Sequence, residues 1–279
     1  MTAGAAVGRD MAREIDARPA SVRQELSDVW SHREVLGMLS RADFHVRYKR
    51  ASLGVVWAVA LPLLQATVLA VVFSHFINVG SGRSYAIFVL SGVLAWGYLS
   101  GTLSTSATSI VEGSTLTDKV WFPRALLPIV PTLSNTVSLG VSILALLVAM
   151  PLFDVAYSVR LLYLVPGCLL LVIFTMVLSL DLAGLHVYFR DVRFLVVAGL
   201  LVWFYLTPIV YPLKLVGNLR PFIEANPVTG IVALFHTATV GPDPQWVRQV
   251  LIAVAWTVVL LVAAVEGYRR HDRLFVDLL

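Results

Sequence analysis

LLYLVPGCLLLVIFTMVLSLDLAGLHV, residues 161–187, runs for 27 positions with one charged side chain, Asp181. At a helical rise of about 1.5 Å per residue it reaches about 40 Å, more than the roughly 30 Å hydrocarbon core of a bilayer. Working outward, five more apolar runs flank it: 54–77, 85–111 and 125–149 before it, 194–211 and 249–267 after it. The six runs cover 140 of the 279 residues. Composition agrees. The chain is 58% hydrophobic and 14% charged, with a mean hydropathy of +0.82, where soluble domains are roughly 45–50% apolar and about 25% charged. An ordinary cytosolic enzyme, a disordered chain and a disulfide-knit secreted domain are excluded, the last because Cys168 is the only cysteine. The expected fold is an all-α membrane protein of six transmembrane helices.

Loop charge orients the bundle. Residues 1–53 hold 16 of the 38 formal charges and no apolar run, so they read as a cytoplasmic tail without a cleavable signal peptide. With both termini inside, the cytoplasmic parts 1–53, 112–124, 188–193 and 268–279 carry 16 of the 21 Lys and Arg residues. The outer loops carry Arg83, Arg160, Lys214, Arg220 and Arg248. This is the positive-inside bias. The net charge of +4 is therefore topology and contact with anionic lipid rather than nucleic-acid binding, for which no groove-reading motif exists. Three units follow: the tail 1–53, a transmembrane domain 54–267 and a short cytoplasmic C-terminus 268–279.

Two regions are neither span nor plain loop. Residues 26–44 place Leu26, Val29, Trp30, Leu36 and Leu39 on helical spacing among charges, the pattern of a helix lying in the cytoplasmic interface. The basic residues Arg41, Arg47, Lys49 and Arg50 then stand at headgroup level before the first span. Residues 212–248 hold five prolines and three glycines around IVALFHTATV, 231–240, which is too short to cross. This piece is either re-entrant, buried in protein at membrane depth, or an outer loop folded over the bundle.

Familiar catalytic chemistry is missing. There is no GxxxxGK[ST] loop; the lysines Lys49, Lys119 and Lys214 do not follow glycine. HExxH, GxSxG and CxxC are absent, and the six histidines are scattered, so no metal site is expected. Asp181 is the one central intramembrane acid. It is either functional or a structural partner of Arg190, about two helical turns on. The segment 112–124, EGSTLTDKVWFPR, places Trp121 and Phe122 beside Pro123. They serve either as a docking knob or as interface anchors. Aromatic residues gather toward the outer side, and Phe73, Phe76, Trp203, Tyr205 and Tyr211 are candidates for stacking on sugar rings along a conduit, the alternative being belt residues. Consecutive helical positions such as Trp203, Phe204 and Tyr205 lie about 100° apart and cannot all face one pore.

Four motifs in chain order carry a resemblance. They are Arg47-Tyr48-Lys49-Arg50 with Leu53-Gly54, Trp57 and Pro62; Lys119-Val120-Trp121-Phe122-Pro123-Arg124 with Leu127-Pro128; Tyr188-Phe189-Arg190-Asp191-Val192; and Pro208-Ile209-Val210-Tyr211-Pro212 with Asn226-Pro227. Together they resemble the membrane subunit of type-2 ABC exporters, in the branch that exports lipid-linked polysaccharide and teichoic acid. The resemblance implies a permease in the bacterial cytoplasmic membrane, working as a homodimer with two copies of a separate ATPase subunit that holds ATP and Mg. It implies no cofactor and no catalytic residue in this chain. Leu116, Asp118, Lys119, Trp121, Phe122, Arg124, Arg190 and Asp191 would couple to the ATPase. Arg41, Arg47, Lys49 and Arg50 would meet membrane lipid or the head of a polyprenyl-diphosphate-linked glycan. The segment like 212–244 would form outer re-entrant helices between spans five and six. The chain departs from the family pattern at Gly113 and Thr115, where asparagines are common, and at Phe235-His236, where an aromatic–Arg pair is common. The competing expectations are a small-molecule or lipid exporter, a polyprenyl-lipid enzyme and a secondary carrier.

Overall fold

The computed structural model describes residues 31–49, 54–76, 83–113 and 125–271. Among these residues the regular structure is helical, with no strand. Helix α1, Arg33–Tyr48, precedes α2, Trp57–Phe76, and α3, Arg83–Ser106. A short α4, Ser109–Glu112, leads toward α5, Leu126–Leu152, α6, Leu164–Tyr188, and α7, Val192–Tyr205. The proline- and glycine-rich segment after α7 forms α8, Arg220–Glu224, and α9, Pro227–Thr239, and α10, Trp246–His271, is the last helix of the described residues.

Four helical stretches are long and apolar enough to cross a membrane: Ser84–Ser106, Leu126–Leu152, Val159–Tyr188 and Trp246–Gly267. The first and fifth expected spans form shorter apolar helices, Ala60–Phe73 within α2 and Val192–Tyr205. At 14 residues, α7 is about 21 Å long. The residue before a proline is pushed out of helical geometry, and Pro208 follows closely on this helix end.

Helix α3 is the axis of the protein. It packs against α2, α5, α6 and α9, and Ile87, Val89, Leu99 and Leu103 from it are sealed in the main core. Leu171 and Phe174 of α6, Leu146 and Met150 of α5, and Ile231 and Phe235 of α9 complete that core. A second, smaller core holds α1 down: Leu36 is buried against Ile110, Leu126, Leu127, Ile129 and Val130, with Leu39 packed beside it. Helix α1 thus lies on α5 through the face that carries Leu36 and Leu39, while Met38 and Val46 point outward. Leu26, Val29 and Trp30 fall outside the described residues.

The expected run 85–111 divides at Ala107-Thr108. Its hydroxyls explain the break, because Ser and Thr side chains compete for the backbone carbonyls that a helix needs. Thr105 Oγ1 donates to the carbonyls of Gly101 and Thr102, Ser109 Oγ to that of Ser106, and Ser106 Oγ crosses to the carbonyl of Pro128 on α5. Prolines inside helices are handled by the same chemistry. Pro62 has no N–H for the carbonyl of Ala58, and Ser142 Oγ from α5 donates to it at 3.4 Å. Pro151 likewise frees the carbonyl of Leu147, which accepts from Tyr157 Oη at 2.8 Å. In lipid such carbonyls have no water to turn to, so at Pro62 and Pro151 a hydroxyl from elsewhere in the chain takes the place of the missing N–H.

Asp181 and Arg190 do not pair. Asp181 is half-buried on α6 with its Oδ2 free of hydrogen-bond partners, and Arg190 is exposed. Nine helical positions separate them by about 13 Å, more than the two side chains bridge here.

Candidate functional site

The segment between α7 and α10 is built around one side chain, Asn226. Its Oδ1 caps α9 by accepting from Val228 N at 3.0 Å, and accepts from Trp203 Nε1 at 2.9 Å. Its Nδ2 donates to Thr207 Oγ1 at 3.0 Å and to the carbonyl of Leu206 at 3.2 Å. The Asn-Pro pair explains the local fold: asparagine is a preferred N-cap, and proline at the first helical position loses no hydrogen bond. One amide therefore joins the end of α7 to the start of α9.

Helix α9 is then enclosed on nearly every side, packed against α10, α3 and α6. Two glycines set the approach. At Gly230 an added Cβ would lie 2.1 Å from the backbone oxygen of Gln249, so α9 and α10 meet backbone to backbone. At Gly92 it would lie 3.1 Å from His236 Nε2 and from Ile209. The His236 ring fills that space and stacks on Phe88 with centroids 3.7 Å apart.

Charge crosses the end of the bundle that carries α8. Glu224 is only 2% exposed, yet it meets Arg220 at 2.6 Å and Arg248 at 3.7 Å. Arg220 also reaches Asp243 at 3.2 Å. The hydrogen bond that Arg220 donates to Glu224 raises the Arg220 pKa above its ordinary value, against the desolvation that lowers it, with both carboxylates adding attraction. These pairs bind α8 to the connection between α9 and α10. Beside them opens a cleft of about 400 Å³ bordered by Phe88, Tyr211, Arg220, Asp243 and Gln249.

The aromatic residues proposed for a conduit occupy unlike positions. Trp203 stands edge-on to Trp96 and Phe174 and is held by Asn226. Tyr205 is exposed, and Tyr211 is half-buried with its Oη donating to the carbonyl of Tyr205 at 2.9 Å. Phe73 packs on the main core, while Phe76 ends α2. The end of α7 thus brings Trp203, Tyr205 and Tyr211 together, with Trp203 turned inward and Tyr205 outward.

On the side of α1, Arg41 and Lys49 are exposed. Arg47, exposed as well, reaches back along the surface: it pairs with Asp43 at 3.2 Å and donates to Asn135 Oδ1 on α5. Asn135 Nδ2 in turn donates to Thr102 Oγ1 on α3 at 2.9 Å. Arg190 and Asp191 sit exposed in the turn between α6 and α7, where the Asp191 carbonyl accepts from Phe194 N and Leu195 N and so starts α7. Leu116, Asp118, Lys119, Trp121, Phe122 and Arg124, like Arg50, fall outside the described residues. At the near edge of that segment Gly113 is pressed on Leu127, whose methyls would lie 2.9 Å from an added Cβ. An asparagine there would displace Leu127 from the core under α1.

Asn135, Glu224 and Asp243 were not singled out by sequence reasoning. An amide inside the run 125–149 is a signal for the first, and the i, i+4 spacing of Arg220 and Glu224 for the second. Among the described residues no group of His, Cys, Asp and Glu is placed to hold a metal ion. The arrangement is a scaffold of packed helices with a charged end at α8 and a basic arm at α1.

Comparison with known proteins gives this scaffold a family. The ABC-2 type transporter pattern matches residues 34–238. An "O-antigen export system permease protein RfbA" from Klebsiella pneumoniae is 30% identical over 205 residues, covering 71% of this chain and 77% of the relative. A protein of the same name from Myxococcus xanthus is 25% identical over 257 residues, covering 90% of this chain and 97% of the relative.

Proposed function

This chain belongs to the ABC-2 type transporter family, and on that premise we propose that it is the permease subunit of an ATP-driven exporter of lipid-linked polysaccharide. The observation that carries the reading is the family match across residues 34–238, together with the similarity to relatives named for O-antigen export. The polymer belongs to the class of O-antigen, galactan, teichoic acid or capsule glycans on a polyprenyl-diphosphate carrier. Energy comes from a separate ATPase subunit, in keeping with a sequence that lacks a phosphate-binding loop.

The permease works as a homodimer with two ATPase copies in the bacterial cytoplasmic membrane, both termini inside. The positive-inside distribution of Lys and Arg supports that orientation. In this reading α2 and α7 complete six spans with the four longer stretches. Helix α9 is the re-entrant element at the outer side. ATP closes the ATPase pair, and residues 112–124, with Arg190 and Asp191, pass that motion to α3, α6 and α7. Because α3 touches α2, α5, α6, α7 and α9, a displacement at its inner end reaches the whole bundle.

The test is reconstitution of the full chain with its ATPase in proteoliposomes. Lipid-linked glycan should stimulate ATP hydrolysis and become accessible on the far side only when ATP is supplied. Stimulation by small dyes, with none by the glycan, would replace this reading with a small-molecule exporter.

A further inference from the structure

The cleft of about 400 Å³ beside the charged cluster is walled by α3, α9, α10 and the proline-rich chain around α8. Its size lies within the roughly 300–1,000 Å³ of small-ligand pockets, which are mostly apolar with a few placed polar groups. Phe88, Pro212, Ala233 and Pro242 supply the apolar wall. The polar part is one linked set, Arg220, Asp243 and Gln249, joined by hydrogen bonds.

Two of these three are committed within the protein. Asp243 Oδ1 accepts from Arg220 Nη2 at 3.2 Å, Gln245 N at 3.0 Å and Gln249 Nε2 at 3.4 Å. Arg220 is held between Glu224 and Asp243. Gln249 differs. It is 0% exposed, yet its Oε1 has no hydrogen-bond partner among the described residues. Turning the amide over does not hide that oxygen, because it would then face the Asp243 carboxylate. His236, which also lines the cleft, has its buried Nε2 in the same condition. Buried polar atoms are normally paired, and here a cavity large enough for a ligand adjoins the exception.

These features select among ligands. An apolar occupant leaves Gln249 Oε1 buried without a donor. An anion meets that oxygen and the Asp243 carboxylate, while Arg220 is already neutralised. Lys214 borders the cleft too, but it is exposed, and its charge is screened by water and salt. A cation meets Arg220. A neutral ring with hydroxyls at its edge and C–H groups on its faces satisfies both parts of the lining: a hydroxyl donates to Gln249 Oε1, and the C–H groups rest on the apolar wall.

We propose that this cleft binds one neutral sugar unit, selected by Gln249, and rejects units that carry phosphate or carboxylate. Assigning that unit to an exported glycan rests on the exporter reading. On that reading the cargo is a neutral polymer, not one with phosphate in its backbone.

The full chain in phosphatidylcholine nanodiscs is mixed with the methyl glycosides of glucose, galactose and mannose, and in parallel with methyl glucuronide and glycerol 3-phosphate. Binding is read by saturation-transfer NMR. Wild type should bind at least one neutral glycoside and neither anion. Gln249→Leu keeps a buried side chain of similar size and should weaken that binding by about tenfold, the scale of one buried hydrogen bond lost. Ala233→Leu fills the cleft from α9 and should abolish it. The ligand-free melting temperature identifies the folded variants. Unchanged binding in either folded variant overturns the site, and so does a wild type that binds none of the glycosides. Glucuronide or glycerol 3-phosphate bound as tightly as the neutral glycosides overturns the selectivity. A Gln249→Leu protein that has lost glycoside binding but exports lipid-linked glycan as wild type does overturns the cargo role and leaves the exporter reading intact. Glycoside binding by a wild type that exports no glycan with ATP does the reverse.

Discussion

Asn226 makes four hydrogen bonds through one amide, more than any span residue of the described chain is asked to make. Asn226→Ala should lower stability by about 2–4 kcal/mol, the sum of a lost N-cap and buried donors left unpaired, read as a fall in melting temperature in detergent. Gly230→Ala should be worse. Its Cβ would meet a backbone carbonyl rather than a pliable side chain, and we expect a loss of about 3 kcal/mol or more, seen as a collapse of the monodisperse peak in gel filtration. The two residues differ in legibility. Asn-Pro before an apolar stretch is a helix start that can be read directly. The bond from Arg47 to Asn135 joins positions 88 apart, and nothing local in either neighbourhood announces it. Nor does a proline name the hydroxyl that will serve its orphaned carbonyl: Ser142 and Tyr157 are ordinary residues until the helices are brought together.

At the scale of elements, length and apolarity located the stretches that now form α3, α5, α6 and α10, because long uncharged runs have few other uses. The break after Ser106, the short α7 and the burial of α9 were not legible to the same degree. Each depends on where side-chain hydroxyls and prolines find partners, which is a property of the assembled bundle. The outer charge cluster makes a contrast testable within one element. Arg220→Ala leaves the buried Glu224 with the neutral Gln245 amide and the distant Arg248 and should cost about 2–3 kcal/mol. Arg248→Ala removes a largely exposed partner and should cost about 0.5 kcal/mol. Hydrogen exchange in α8 would report both, and equal effects would refute the ordering. For the proposed coupling segment, Trp121→Ala or Phe122→Ala should reduce copurification of the ATPase without lowering the permease's own melting temperature. Unchanged copurification together with unchanged coupled ATP hydrolysis would remove residues 112–124 from the coupling role.

The whole molecule presents long apolar faces on helices at its periphery: Leu64, Val68 and Val71 on α2, and Phe194, Leu201 and Tyr205 on α7. Lipid covers such faces well, and so does a second copy of the chain. The homodimer reading expects α7 to approach its symmetry mate. In a Cys168→Ser background, which removes the only native thiol, Leu201→Cys or Tyr205→Cys should give a disulfide-linked dimer in membranes. Crosslinking no greater than at outward-facing Val262 of α10 would argue against that face. The bare contact at Gly230 also has a mechanical meaning. With no side-chain layer between them, α9 and the first turns of α10 behave as welded parts, unable to slide or roll past one another. Any opening at the α8 end would have to carry both together, and the joint left to part would be the other flank of α9, where a stacked imidazole and a glycine, rather than a backbone joint, divide it from α3.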